Sequence, residues 1–445
     1  MKKIKEIIRK LTPRFVFRWY YFAWAALGLI IYRFPSNKLV VIGVTGTNGK
    51  TTTSNVVAWL LQSSGIRSGL ISTANIKIGN KERMNKSKNT MLGRFSLQKN
   101  LRKMVKDRCK VVVVEVSSEG IISHRALGIN FDILIFTNLS PEHIESHGSF
   151  PNYKKAKQKI FANLHKSKKK NLGFAPAVLR KTIIANIDDQ YAEDFLKFKA
   201  DQRIGFGIKK KDSLFATKII RGSEVEQDKK GVSFFLDVFD EKTEIESPLL
   251  GAVNAYNLLA AASVGWVFGM SSEEIKKGLE GFAGVSGRME KISGKKGYDV
   301  IIDYALTPEA LKELYTTTRA LYNGKVIAVY GSCGGGRDKA KRPIMGQIVS
   351  GYADHSILTN EDPYFEDPHE IVAQIEEGYK ANGKEKGKDY EIIINRDLAI
   401  EKALLIAAKP GDVVVITGKG SETGMNINGK IVSFNDKETV LKYLK

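Results

Sequence analysis

Cysteine is nearly absent: Cys109 and Cys333 are the only two in 445 residues. Two thiols exclude a disulfide framework and a cysteine-rich zinc site, and they suit a reducing cytoplasm. Acids are short as well, 48 against 70 lysines and arginines, which leaves a net charge of +22. That balance favours anionic partners: nucleotides, phosphorylated or carboxylated substrates, nucleic acid, or an acidic membrane face. The main apolar run falls short of the ~20 residues of a membrane span. Internal repeats and long low-complexity tracts are also missing. What is present is a globular composition, 43% hydrophobic and 27% charged. The length fits two or three domains of ~100–200 residues each.

Residues 1–37 stand apart. They hold Lys2, Lys3, Lys5, Arg9, Lys10, Arg14, Arg18 and Arg33 against one acid, Glu6. An apolar aromatic run, Trp19 to Tyr32, lies between the last two arginines. Arg33-Phe34-Pro35 follows it, where a cleaved signal would place small residues. Three readings stay open: a helix docked on the body of the protein, an interfacial helix, and a true span. The interfacial reading puts Trp19, Tyr20, Tyr21 and Trp24 at headgroup level, with basic flanks on anionic lipid.

The segment Lys38 to Val44 reads as a buried strand. Gly46-Thr47-Asn48-Gly49-Lys50-Thr51-Thr52 follows, and then a helical stretch. Strand, glycine turn, Lys-Thr and helix make a phosphate loop. Backbone N–H groups cradle phosphate, the lysine neutralises it, and the hydroxyl after the lysine reaches Mg²⁺. Val44 stands where the strict motif has its first glycine. A second strand, Lys110 to Val116, ends in Glu115, where a Mg²⁺ ligand belongs. A third, Phe131 to Phe136, leads into Thr137-Asn138-Leu139-Ser140-Pro141-Glu142-His143. Three of the six histidines, His124, His143 and His147, fall in this stretch. Such clustering after strand ends points to function.

Taken together, GVTGTNGKTTT, EVSSEGIISHRALGINFD, TNLSPEHIESHGSFPNYKKAK, LLGAVNAYNLLAAA, SGRME, GGGRDKAKRPIMG, TNEDPYFEDP and GKGSE resemble the Mur ligase family in motif and order. Within it they look most like the UDP-N-acetylmuramyl-tripeptide synthetases. The resemblance implies an ATP-dependent ligase adding an amino acid, of diamino type, to a muramyl-peptide carboxylate. It implies ATP and Mg²⁺, with Thr51, Glu115, His143 and a carbamylated Lys157 as metal groups. Asn254 and Asn257 match asparagines near the adenine. Arg288 and Asp303 match residues that close on the nucleotide. Thr90, Ser117 and Arg125 match contacts to the muramyl-peptide. Arg337, Gly418 and Glu422 match the pocket for the incoming amino acid.

Several positions depart from the family pattern. Only residues 1–37 precede the loop strand, where family enzymes carry a uridine-binding domain. The donor is therefore expected to be UDP-linked or lipid-linked. The DNPR signature for meso-diaminopimelate reads Glu361-Asp362-Pro363-Tyr364. The arginine that would pair with a distal carboxylate is gone. Asp362 and Glu422 offer negative charge instead, which leans toward lysine or ornithine. Leu306, Ser421, Glu119 and Glu142 are further replacements.

The expected fold is α/β, with parallel sheets. Residues 38–285 form a central P-loop ATPase domain, and residues 286–445 a C-terminal Rossmann-like domain. An antiparallel excursion is expected over Ala216 to Glu246. The lysine runs at 168–170 and 209–211 read as solvated surface rather than a nucleic-acid site. The expected location is cytoplasmic, with peripheral contact to the inner membrane face through residues 1–37. Two alternatives accompany this reading. One is a folylpolyglutamate or poly-amino-acid synthetase. The other is a membrane-associated nucleotide-binding subunit that no longer ligates.

Overall fold

The computed structural model describes residues 14–87, 89–141, 147–173, 180–209, 211–238, 241–294, 296–336, 338–407 and 409–444. They divide into two compact units. The first comprises Met1–Glu226, Val232–Pro248 and Val253–Ala283, and the second Gln227–Gly231, Leu249–Ala252 and Gly284–Lys445.

The first unit is built on β1 (Val40–Thr45), β2 (Ser68–Ile71), β3 (Asn75–Ile78), β4 (Lys81–Met84), β5 (Val111–Glu115), β6 (Ile133–Phe136), β7 (Thr182–Asn186), β8 (Gln202–Gly207), β9 (Lys218–Gln227), β10 (Val232–Asp237) and β11 (Lys242–Ser247). Its helices are α1 (Arg14–Ile31), α2 (Lys50–Ser63), α3 (Arg94–Lys106), α4 (Ser118–Ile122), α5 (Phe150–Leu164), α6 (Ala192–Leu196), α7 (Val253–Val267) and α8 (Ser272–Glu280). The strand order is β11-β10-β9-β8-β7-β6-β1-β5-β2-β3-β4. From β2 to β9 the neighbours run parallel. Both edges are antiparallel: β2-β3-β4 on one side, and the β10–β11 hairpin on the other. The antiparallel excursion expected over Ala216 to Glu246 is present only in its second half, as the β10–β11 hairpin, because β9 pairs parallel with β8. The central strands are β-branched runs buried at every position, as helices on both faces require. Gly43 in β1 has no side chain because Leu134 and Phe131 fill that space.

Helix α1 lies against α3. Its inward stripe is Tyr21, Ala25, Gly28 and Leu29, with Ala25 and Leu29 buried. Trp24 meets Phe95 edge to face at 5.3 Å, and the Arg94 guanidinium stacks 4.1 Å from the Tyr21 ring. No helix among the described residues is long and apolar enough to cross a membrane.

One expectation about charge is corrected here. Lys170 is not solvated surface; it is buried and ion-paired to Asp132 at 2.5 Å. Lys181 pairs with the other Asp132 oxygen at 2.9 Å, and the Val41 N–H donates to the same carboxylate. Burial lowers the Lys170 amine to about 8 despite that partner. Lys168, Lys169, Lys209 and Lys211 are exposed as expected, and Lys210 lies outside the described residues.

The second unit holds β12 (Glu290–Ser293), β13 (Asp299–Asp303), β14 (Val326–Tyr330), β15 (His355–Leu358), β16 (Tyr390–Ile392), β17 (Val413–Thr417), β18 (Gly424–Ile427) and β19 (Lys430–Ser433). Its helices are α9 (Pro308–Leu321), α10 (Lys341–Tyr352), α11 (Pro368–Ala381), α12 (Arg396–Ile406) and α13 (Asp436–Tyr443). The main sheet runs β12-β13-β17-β14-β15-β16, parallel except for β12. Apolar clusters cover both of its faces, as in a Rossmann-like layer.

Candidate active site

In the first unit β1 ends at Thr45, and α2 begins at Lys50, so residues 46–49 form the turn between them. Gly46 (φ 155°) and Gly49 (φ 78°) take conformations that side chains rarely adopt. A Cβ on Gly46 would collide with the Thr137 hydroxyl, and one on Gly49 would sit 2.6 Å from Asn257 Oδ1. The turn is braced from 137–140. The Asn48 N–H donates to Asn138 Oδ1 at 2.8 Å, the Thr47 N–H donates to the Asn138 carbonyl, and Thr137 Oγ1 donates to the Asn48 carbonyl at 2.7 Å. From α5, Lys157 Nζ donates to the Gly46 carbonyl at 2.7 Å and the Tyr153 hydroxyl lies 3.2 Å from Thr47 Oγ1. Lys50 Nζ donates to the Thr47 carbonyl at 2.6 Å. Thr52 is half-buried on α2. From α7, Asn257 Oδ1 accepts from Thr53 Oγ1 at 2.9 Å, and Asn257 Nδ2 donates to Asn254 Oδ1. The paired asparagines therefore stand at the loop itself. Glycines without room for a Cβ, opening a helix N-terminus, make a cradle that fits phosphate.

Thr51 Oγ1 donates to Glu115 Oε2 at 3.1 Å, although the two come from α2 and β5. Two oxygens bound side by side to one octahedral Mg²⁺ at ~2.0–2.1 Å stand about 3 Å apart, so this hard-oxygen pair fits that ion. Glu115 also accepts from the Thr73 N–H at 2.7 Å and from Thr73 Oγ1 at 2.9 Å. Thr73 Oγ1 in turn reaches Thr90 Oγ1 at 3.2 Å. Thr73, Asn138 and Tyr153 carried no role in the sequence reading. Only the pairing of β2, β5 and β1, and the packing of α5, bring them in.

Arg125 Nη1 donates to the Met91 carbonyl at 2.7 Å and to Asn89 Oδ1 at 3.2 Å, so it holds the segment carrying Thr90. Ser117 caps α4, accepting from the Gly120 N–H at 3.1 Å. The two described histidines of this stretch make different contacts. His147 Nε2 lies 3.1 Å from Ser118 Oγ, whereas His124 packs edge to face on Phe22. His143 lies outside the described residues.

In the second unit, Asp303 Oδ2 accepts from the Met289 N–H at 2.7 Å. Burial raises its carboxyl, and the nearby Arg288 opposes the rise. The Arg288 guanidinium stacks 4.9 Å from the Tyr304 ring. Gly287 (φ 70°) has no room for a Cβ against Gly420 and Ser421, which locks the SGR turn onto the GKGSE turn.

Beside those turns is a buried acidic cluster. Asp362 and Glu422 are not free negative charges, as the sequence reading had them. The buried Lys419 Nζ pairs with Asp362 at 3.1 Å and with Glu422 at 2.5 Å. The sequence reading missed Lys419 and Glu361. Glu361 is 2% exposed, and its Oε2 finds no hydrogen-bond partner. Burial pushes its carboxyl up to about 7, Lys419 opposes, and Asp362 and Glu422 push further up. Gly418 (φ 106°) passes the Glu361 side chain, which would stand 3.1 Å from a Cβ. The glycine turn at 331–336 serves close packing, since the Gly334 N–H donates to the Asp362 carbonyl at 2.8 Å. Arg337 lies outside the described residues.

A phosphate loop on an α/β sheet, with a Rossmann-like second unit, defines an ATP-dependent acid–amino acid ligase. Residues 44–265 match the Mur ligase middle domain, and residues 287–420 match the Mur ligase glutamate ligase domain. The chain belongs to the Mur ligase family. It is 36% identical over 414 residues to a UDP-N-acetylmuramoyl-L-alanyl-D-glutamate–2,6-diaminopimelate ligase of Bacillus cereus, covering 93% of this chain and 80% of the relative. The ligase of the same name from Halalkalibacterium halodurans is 36% identical, with 95% and 82% covered. A solved structure of such a ligase superposes with a TM-score of 0.61 at 29% identity, covering 91% of this chain and 78% of that one. Folylpolyglutamate synthase of Mycobacterium tuberculosis, complexed with ADP, shares the fold at a TM-score of 0.68 but only 17% identity, with 89% and 91% covered.

Proposed function

We propose that this enzyme joins a free amino acid to the carboxylate of a muramyl-peptide during peptidoglycan precursor synthesis. The Thr51–Glu115 pair at the phosphate loop, tied through Thr73 to Thr90, carries this reading. It supports a metal-and-phosphate position linked through the Thr73 hydroxyl to the segment expected to hold the donor. Residues 38–285 act as the nucleotide domain, and residues 286–445 receive the amino acid.

The donor carboxylate attacks the γ-phosphorus of ATP, and the bond to the β-phosphate oxygen breaks. Acyl phosphate and ADP result. The amine of the incoming amino acid then attacks the acyl carbon. Phosphate leaves, and the amine gives up a proton. Gly46, Thr47, Asn48, Gly49 and Thr52 shape the cradle, and Lys50 neutralises phosphoryl charge. Thr51, Glu115, His143 and Lys157 as its carbamate would hold Mg²⁺, which would neutralise charge on the phosphoryl oxygens. Asn254 and Asn257 serve the nucleotide end of the first unit, and Arg288 and Asp303 are the nucleotide residues expected of the second. Thr90, Ser117 and Arg125 orient the donor. Arg337 and Gly418 are the residues expected to receive the α-carboxylate of the amino acid.

The distal group of that amino acid is an ammonium, as in lysine or ornithine. Glu361, Asp362 and Glu422 lie near the Lys419 ammonium, and the neighbouring Arg396 guanidinium is already paired with Asp436, so negative charge is left for a further cation. Tyr364 replaces the arginine that a distal carboxylate would require. The relatives are named for diaminopimelate, so the two possibilities are separable. The donor carries a uridine nucleotide or a lipid. The exposed aromatic face of α1 favours a reaction beside the inner face of a membrane. Retention of Lys50, Thr51 and Glu115 argues against a subunit that no longer ligates.

The test is phosphate release and product mass with UDP-MurNAc-L-Ala-D-Glu or its lipid-linked form, ATP and Mg²⁺. Lysine, ornithine and meso-diaminopimelate are supplied one at a time. A new amide with lysine or ornithine is expected, and Lys50→Ala should slow it by roughly 10²–10³-fold. An amide formed only with diaminopimelate would overturn the ammonium assignment. No amide with any acceptor, while ATP still binds, would overturn the ligase reading.

A further inference from the structure

The outward face of α1 is out of keeping with a protein surface. Trp19 is 69% exposed and Ile30 64%, and Tyr20, Leu27, Ile31 and Phe34 are exposed beside them. Large contiguous apolar faces on a protein mark a docking site. The helix is nevertheless fixed. Its opposite stripe, Tyr21, Ala25, Gly28 and Leu29, packs on α3 and on the turn at Gly128, whose missing side chain leaves room for Leu29. It therefore lies along the first unit, and no described helix is long and apolar enough to span a bilayer.

We propose that this face docks on an anionic lipid bilayer. Charge complementarity selects that occupant. Arg14 and Arg18 precede the apolar run, Arg33 follows it, and Lys2, Lys3, Lys5, Arg9 and Lys10 lie upstream against the single acid Glu6. The supporting helix α3 has no acid either. Its sequence is RFSLQKNLRKMVK, with Lys99, Lys103 and Lys106 exposed. Basic residues close to an anionic leaflet contribute about 1 kcal/mol each. An aromatic and aliphatic face supplies the second, apolar signal that stable peripheral binding needs. Tryptophan and tyrosine at one end, with aliphatic side chains between them and Phe34, suit the headgroup–acyl boundary. A second copy of this chain meeting this face with its own α1 or α3 would have no acids there to pair with the arginines. The inference is independent of the ligase reading.

The experiment is co-sedimentation of the full chain with phosphatidylcholine vesicles, with or without phosphatidylglycerol. Tryptophan quenching by brominated lipid is read in parallel. Binding to the anionic vesicles alone is expected, weakening as salt shortens the Debye length. The triple variant Leu27→Glu, Ile30→Glu, Ile31→Glu should lose more than about tenfold in vesicle affinity while binding ADP as before. Trp19→Ser with Tyr20→Ser is a milder second variant, expected to lower affinity and quenching together. Failure of the wild-type chain to sediment with anionic vesicles, while it binds ADP, would overturn the proposal. So would unchanged binding by both variants. Self-association abolished by the triple variant, without vesicle binding, would assign the face to a second copy and overturn it too.

Discussion

The Glu361 carboxyl, held near 7 by burial, sits beside an ammonium already shared by Asp362 and Glu422. A substrate ammonium needs the ionised form. Below pH 7 Glu361 is mostly protonated in the free enzyme, so KM for the amino acid should fall about tenfold from pH 6 to pH 8. Glu361→Gln should flatten that profile; an unchanged profile would remove Glu361 from the pocket. The stability sign runs the other way. Between the ordinary value of 4.5 and about 7 the folded state binds more protons, so stability falls as pH rises through that window. Denaturant midpoints of Glu361→Gln should lack this slope. At this scale the sequence was legible where one turn holds the whole motif, as from Gly46 to Thr52. Across separate elements it was legible only in part: Glu115 was read together with Thr51, but Thr73 and Lys419 were given no role. Thr73 belongs to the site only because β2 pairs with β5, and Lys419 only because the turn after β17 folds over Asp362.

Asp132 immediately precedes β6 and joins three segments at once, through Val41 of β1, Lys170 beyond α5, and Lys181 ahead of β7. Removing its charge leaves two buried ammonium groups facing neutral partners. Asp132→Asn should cost about 3–5 kcal/mol of unfolding free energy, read as a lower denaturant midpoint with unchanged slope. A loss below 1 kcal/mol would mean that Lys170 and Lys181 escape to water. The elements themselves were readable from their apolar runs. KLVVIGV and KVVVVEV correspond to β1 and β5, and VVVIT to β17. The shorter edge strands β3, β4, β18 and β19 were not, because they are half-exposed and carry no run. The buried lysine escaped notice for a similar reason: a run of three basic residues gives no sign of which one turns inward.

Over the whole molecule, a net charge of +22 surrounds a site whose expected substrates are ATP and a carboxylate-bearing donor. Long-range attraction should speed their capture and should weaken as salt screens it. We expect kcat/KM for the nucleotide to fall by about tenfold between low and high ionic strength, with kcat nearly unchanged. A flat response would mean that the positive charge faces away from the site. The strand order carries a separate implication for how the chain is made. β1 lies between β5 and β6, so it has no neighbour until residues 111–115 have emerged, and its second comes only with residues 133–136. Helix α1 emerges earlier still, and its support, α3 and the turn at Gly128, is synthesised much later. During that interval an aromatic helix stands without its sheet or its supporting helix, which makes the nascent chain a client for chaperones or for the nearest lipid surface.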